Sequence, residues 1–262
     1  MRSIWKGAIS FGLVNIPVKM YTATKSKEIS FVLLHKNDLS EIRYARICKT
    51  EEKEVPWKDI VKGYEYEKGG YIVLRDQDFD KIGVKKTKTI EILNFIDEDE
   101  IDSVYYVKPY FLEPDKQGEK AYALLRDALK KSKKVGLAKY VLRNHEHLAV
   151  IKFQDDMIIL NELRYVEELI TSKDLKIPAV KTTAAEMNMA IALIDQLTAA
   201  FNPKKYKDTY TQDVKKLIKQ KAKGKPLKPK TKEKPSPKVH DIMSLLQASL
   251  EEKKPKTTKL LG

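Results

Sequence analysis

The apolar residues near the start of the chain change phase, and that change narrows the folds open to it. Ile9, Phe11 and Leu13 alternate with Ser10 and Gly12, the period of a strand with one covered face. Ile16, Val18 and Met20 then take over the apolar positions, one step out of phase. A one-residue slip turns side chains to the opposite face of a sheet. A bulge or sheet corner near Asn15 is therefore expected to restore their burial. Pro17 has no amide hydrogen for a ladder and marks an edge or bend. A strand that bends to keep one face covered is barrel-like.

Other short runs read as strands: Ile29–Leu34, the Arg- and Tyr-rich Glu41–Cys48, Thr89–Ile96, Val104–Leu112, Val135–Leu142, Leu148–Phe153 and Met157–Leu163. Tyr64–Glu67 and Tyr71–Leu74 flank Lys68-Gly69-Gly70, a hairpin signal. Two stretches have helical spacing instead. Glu119–Lys131 places Ala121, Leu124, Leu125, Ala128 and Leu129 on one face. Thr183 and Glu186 form a capping box that opens a helix to about Phe201, striped by Met187, Ala190, Ile191, Ile194 and Leu197. The sequence thus predicts an α+β, β-rich fold: a barrel-like body over 1–182, a helical arm over 183–224, then a basic tail.

The tail holds most of the charge. Residues 202–262 contain eighteen Lys, no Arg and six acidic residues, a surplus of 12 out of the chain's +14. Such asymmetry points to an anionic partner, nucleic acid above all. Asp208 is placed to cap a helix to about Lys223 that Gly224 stops. Lys225–Lys238 mixes lysines with Pro226, Pro229, Pro235 and Pro237 and reads as an extended linker, roughly 40 Å long at about 3.1 Å per residue. Residues 239–262 follow, with Ile242, Met243, Leu245, Leu246 and Leu250 spaced as a short amphipathic helix. Such a helix is marginal alone. It either folds back on the body or docks in a partner's groove, and the tether in front of it favours docking.

Enzyme signals are weak. There is no G-x-x-x-x-G-K-[ST], G-x-G-x-x-G or G-x-S-x-G. Asp76, Asp78 and Asp80 have calcium-loop spacing, but Lys81 and Thr87 stand where that loop needs Gly and Glu. The acidic run Asp97–Asp102 reads as a solvated turn, and His145-Glu146-His147 lacks further ligands. Cys48 has basic neighbours but no base to activate it and no cysteine to pair with. No metal, cofactor or catalytic residue is expected. The uncharged run Gly7–Val18 is too short to span a bilayer, and Asn15 and Pro17 interrupt it as a secretory signal. A cytoplasmic, nucleoid-associated protein is expected.

The run from Trp5 to Tyr21 closely resembles the opening signature of the prokaryotic Ku proteins. The likeness continues through Ile60–Tyr66, Glu119–Arg126, Glu146–Ala149, Lys205–Asp208 and Asp241–Leu246, in order, over essentially the whole chain. The resemblance implies a DNA-end-binding factor of non-homologous end joining. It implies a Ku-type β-barrel with a strand-built bridge segment and a helical arm that grips a second chain. It further implies a ring-shaped homodimer that threads onto double-stranded ends, and recruitment of a ligase D-type ATP-dependent DNA ligase through the C-terminal region. Some members carry a cysteine pair near the equivalent of Cys48; here it stands alone, so no zinc site is expected.

A ring that accepts any broken end must grip phosphates, which carry no direct sequence information. Lys36, Arg43, Arg46, Lys49 and Lys53, in the segment assigned to the bridge, are the leading DNA-binding candidates, with Arg2, Lys6 and Lys19 of the barrel second. Lys215, Lys216, Lys219 and Lys223 would hold DNA more loosely, and Ile242, Leu245, Leu246 and Leu250 would dock the ligase. Two other readings fit the charge: an architectural DNA-binding protein with no role in repair, and an end-processing nuclease or lyase using the acidic run.

Overall fold

A computed structural model describes residues 1–75, 77–78, 88–172, 175–224, 245–247 and 249. Its first strands explain the phase change. β1 (Trp5–Phe11) and β2 (Val14–Thr22) form an antiparallel hairpin joined by Gly12 and Leu13. Gly12 has φ 57°, the left-handed conformation that a two-residue hairpin turn demands of its first central residue. Across such a turn, paired residues share a face but differ in parity, as Ile9 and Ile16 do. Both are fully buried. The expected bulge near Asn15 is thus a reversal of the chain. Pro17 sits where the β2 ladder to β6 stops, and its carbonyl accepts from the Asp115 amide at 2.9 Å.

The strands that follow are β3 (Lys62–Glu67), β4 (Gly70–Leu74), β5 (Thr89–Asp97) and β6 (Tyr106–Pro114), then α1 (Glu119–Ser132), β7 (Lys134–Leu142), β8 (His145–Gln154) and β9 (Met157–Leu163). Seven of them close a barrel in the order β1-β2-β6-β9-β8-β7-β5, sealed by a parallel pairing of β1 with β5. Closure leaves no free sheet edge. Ile9, Ile16, Val18, Met20, Ile90, Leu112, Ile151, Ile158 and Leu160 fill one core cluster, each stabilising the fold by roughly 1.5–3 kcal/mol. α1 adds Tyr122, Leu125 and Leu129 to it. Tyr122 donates to the Leu112 carbonyl at 2.7 Å and accepts from the Ile158 amide at 2.8 Å, bridging the last pair of the β6–β9 ladder.

Most expected elements are present with shifted ends. β6 starts at Tyr106 because Asp102 caps a turn at Ser103–Tyr105 by accepting from the Val104 amide. The Lys68–Gly70 hairpin forms between β3 and β4. The strands expected at Ile29–Leu34 and Glu41–Cys48 do not form as ladders. Only two isolated rungs exist there, Leu34 with Glu41 and Ile47 with Glu54. The chain turns back on itself twice within a few residues, so neither stretch finds a long partner, and Phe31, Val32 and Leu33 stay exposed.

The chain divides into two compact units, Met1–Thr171 and Ser172–Gly262. The second contains α2 (Ala184–Leu197) and α3 (Thr209–Ala222). Thr183 and Glu186 make the expected capping box. α2 ends before Phe201, because the Thr198 hydroxyl takes the Ile194 carbonyl and Pro203 follows. Asp208 caps α3, accepting from the Thr211 amide at 2.9 Å, and Gly224 follows it with φ 65°. Among the described residues no helix is long and apolar enough to cross a membrane.

Candidate nucleic-acid interface

The five leading cations fall on two consecutive tight turns. In the first, Lys36 stands at the tip between Leu34 and Glu41, and Asp38 holds the turn by accepting from the Ser40 amide at 3.1 Å. That bond and those from Ser40 and His35 side chains keep the Asp38 carboxyl below its ordinary range. In the second, Lys49 follows Ile47, and the Cys48 amide donates to the Lys53 carbonyl at 2.9 Å. The Val55 amide donates to the Arg46 carbonyl at 2.7 Å, so Arg46 and Lys53 lie on the two sides of one turn. The Arg46 guanidinium stacks over Trp57, 4.6 Å from the ring centre. All five are exposed, and none is in an ion pair among the described residues. Four carboxylates, Asp38, Glu41, Glu51 and Glu52, share the segment. Its average charge is therefore small, and whatever grip it has depends on which side chains project.

The barrel candidates differ among themselves. Lys19 is engaged: its ammonium lies 2.5 Å from Asp115, which raises its pKa, first by that hydrogen bond and then by charge. Lys6 and Arg2 are exposed. In the second unit, Lys215, Lys219 and Lys223 follow one another at four-residue spacing along α3 and just beyond it, which places them in a row. Lys216 lies 3.6 Å from Asp213. Leu245 and Leu246 are helical and half-buried. Ile242 and Leu250 lie outside the described residues, as do the linker Lys225–Lys238 and the residues Asp76, Asp80, Lys81 and Thr87.

Several members of the acidic and histidine clusters are committed elsewhere. Asp97 pairs with Lys134 at 2.5 Å, Glu98 pairs with Lys152, and Asp102 caps its turn. Glu146 pairs with Lys139 at 2.9 Å, and that contact holds its carboxyl low. Among the described residues no three His, Cys, Asp or Glu converge to hold a metal.

Sequence patterning does not reveal one polar cluster inside the barrel wall. Tyr110 and Tyr140 both donate to Glu162 Oε2, at 3.1 and 3.0 Å, while His147 Nδ1 lies 3.1 Å from Glu162 Oε1. His147 also stacks on Tyr140. Burial first, and the Glu162 charge second, push the Tyr110 hydroxyl up to about 12 and Tyr140 higher still. Four strands meet there, so only pairing could have identified it. Both oxygens of Glu162 are used by neighbours, which makes the cluster a structural tie.

The family model of the Ku70/Ku80 beta-barrel domain matches residues 10–189. The chain is 44% identical over 254 residues to a protein of Opitutus terrae named "Non-homologous end joining protein Ku", covering 95% of this chain and 91% of that one. Proteins of the same name from Bacillus subtilis and Archaeoglobus fulgidus are each 40% identical, over 96% of this chain and 82% and 99% of theirs.

Proposed function

The chain belongs to the Ku family, and on that premise we propose that it binds double-stranded DNA ends, without regard to sequence, as a ring-shaped homodimer in non-homologous end joining. The observation that carries the ring is apolar surface left uncovered in a single chain. Phe31 is 69% and Trp57 71% exposed, and the α2 stripe leaves Ile194 62% exposed. Patches of that kind mark protein interfaces, and a second copy would bury them. In this reading 1–182 form the barrel core with its bridge segment, and 183–224 form the arm. Residues 225–238 are the linker, and 239–262 are a short helix with a basic end.

The turns at Lys36–Lys53 supply phosphate contacts to the ring's inner face. Such contacts work by releasing counterions and read no bases. The lysines of α3 add a looser hold. The C-terminal helix, with Leu245 and Leu246 on its apolar face, recruits a ligase D-type ATP-dependent DNA ligase. The protein acts by holding ends, in the cytoplasm and on the nucleoid, and catalyses nothing itself.

Competition tests the reading. A threaded ring on a linear duplex is not displaced by closed circular DNA, because a circle offers no end to load. Displacement by circles at the concentration effective for linear competitor would reduce the protein to an architectural DNA binder. Deleting 225–262 is expected to leave end binding in place and remove ligase stimulation; full stimulation by the truncated chain would sink the docking role of the tail.

A further inference from the structure

β5 joins the barrel wall late. Its pairing with β1 begins at Ala8 and Thr89, and its pairing with β7 begins at Glu91 and Lys139. At that end of the barrel, Trp5–Gly7 of β1 and Tyr140–Leu142 of β7 have no β5 rung between them. Trp5 spans the opening, and its indole N–H donates to the Val141 carbonyl at 3.1 Å. The ring packs close against Gly7, where a Cβ would come within 2.3 Å of it and 2.1 Å of the Lys88 carbonyl. Only glycine lets the indole and the start of β5 approach this closely.

The result is a notch of about 350 Å³ bordered by Trp5, Lys6, Lys88, Val141, Arg143 and Asn144. Its three cations come from three separate places in the chain. Lys6 is on β1, Lys88 immediately precedes β5, and Arg143 is in the β7–β8 turn. Among the described residues no carboxylate borders the notch, and none of the three is in an ion pair. Arg143 and Asn144 have φ of 54° and 67°, as a two-residue hairpin turn requires of both positions. That conformation suits Asn and Gly far better than Arg, so the turn holds a guanidinium where local backbone preference argues against one. Three uncompensated cations and an amide around a concavity with one fixed aromatic wall suit a phosphate carried on a flat, partly apolar body.

We propose that this notch binds a nucleotide phosphate, with Lys6, Lys88 and Arg143 on the anion and Trp5 beside the sugar or base. The site goes beyond the ring, because it asks nothing of the channel. A free nucleotide and the phosphorylated end of a DNA strand both carry the required group.

The chain has two tryptophans, so Trp57→Phe leaves Trp5 as the sole fluorescent reporter of the notch. Titration with inorganic tripolyphosphate, without DNA, is expected to change its emission saturably. Lys88→Glu with Arg143→Glu is expected to weaken that binding by at least about tenfold, the scale of two lost charge-assisted bonds. Lys120→Glu with Lys131→Glu on α1, the same change in charge, is expected to leave it unaltered. No saturable signal, or equal loss in both pairs, overturns the site. If the glutamate pair does not fold, Lys88→Gln with Arg143→Gln takes its place. Displacement of tripolyphosphate by a 5′-phosphorylated duplex, and not by its 5′-hydroxyl twin, assigns the strand end. Displacement by a mononucleotide, with both duplexes ineffective, assigns the free nucleotide. Failure of all of these to compete overturns the nucleotide assignment. End binding is measured separately on each variant. Tripolyphosphate binding lost while end binding remains supports the notch, and tripolyphosphate binding retained overturns it whatever happens to the ring.

Discussion

Neutralising Arg43 and Arg46 together should change how DNA binding depends on salt, and the size of the change can be worked out. Both guanidinium groups are exposed and outside ion pairs among the described residues. Arg43→Gln with Arg46→Gln therefore removes two cations while leaving the backbone bonds of both turns intact. Fold stability loses only the contact of Arg46 with Trp57, worth about 0.5–1 kcal/mol. Each phosphate contact adds ~0.9 to the slope of log affinity against log salt. In the proposed homodimer, two chains carrying two such residues each give a drop of ~3.6, so between about 50 and about 200 mM salt the unmodified protein should lose ~150-fold more affinity than the variant. The assay is filter or fluorescence-anisotropy binding to a short linear duplex at several salt concentrations. A slope unchanged within ~0.5 would remove both residues from the interface. A drop near ~1.8 would mean that only two of the four arginines touch the duplex.

Three further outcomes are expected. Tyr122→Phe keeps the ring in the core but strips partners from the buried Leu112 carbonyl and Ile158 amide, so urea denaturation should show a loss of about 2–4 kcal/mol, and a loss under about 1 would show that the hydroxyl matters little. Burial raises the folded pKa of Tyr110 to about 12 from an ordinary 10.0, so its contribution to stability is complete below the unfolded value and is lost as pH rises from there through the folded one. Absorbance titration of the tyrosines should accordingly show Tyr110 and Tyr140 protonated after the exposed ones have ionised; a single ordinary transition in the folded protein would contradict this. Ile191→Asp with Ile194→Asp, on the exposed face of α2, should yield monomers in sedimentation equilibrium, and an unaltered dimer would free that face from the interface.

How legible the fold was depended on the range of the interaction. Capping boxes and helix stops are written within a few residues, and Thr183 with Glu186, Asp208 and Gly224 act as their types suggest. The phase change near Asn15 was visible, but a bulge and a two-residue hairpin both shift parity, and only pairing separates them. Gly12 was the available clue, since a left-handed φ at the first turn position favours glycine. Glu41–Cys48 shows the opposite error: β-favouring residues without a partner make single rungs. The candidate DNA-binding cations could be named from type and segment alone. The notch could not, since Lys6, Lys88 and Arg143 lie far apart in sequence and meet only when the barrel closes.

The chain leaves the barrel at the end of β2 and rejoins it at the start of β5, at the same end, with β1 lying between those two strands. A pull along the strand direction on the segment between β2 and β5 is delivered to both neighbours of β1 along their lengths. The rungs of an antiparallel ladder run across the strands, so such a pull shears the β1–β2 rungs together and does not peel them one at a time. Against a pull in that direction the β1–β2 hairpin yields all at once rather than by fraying.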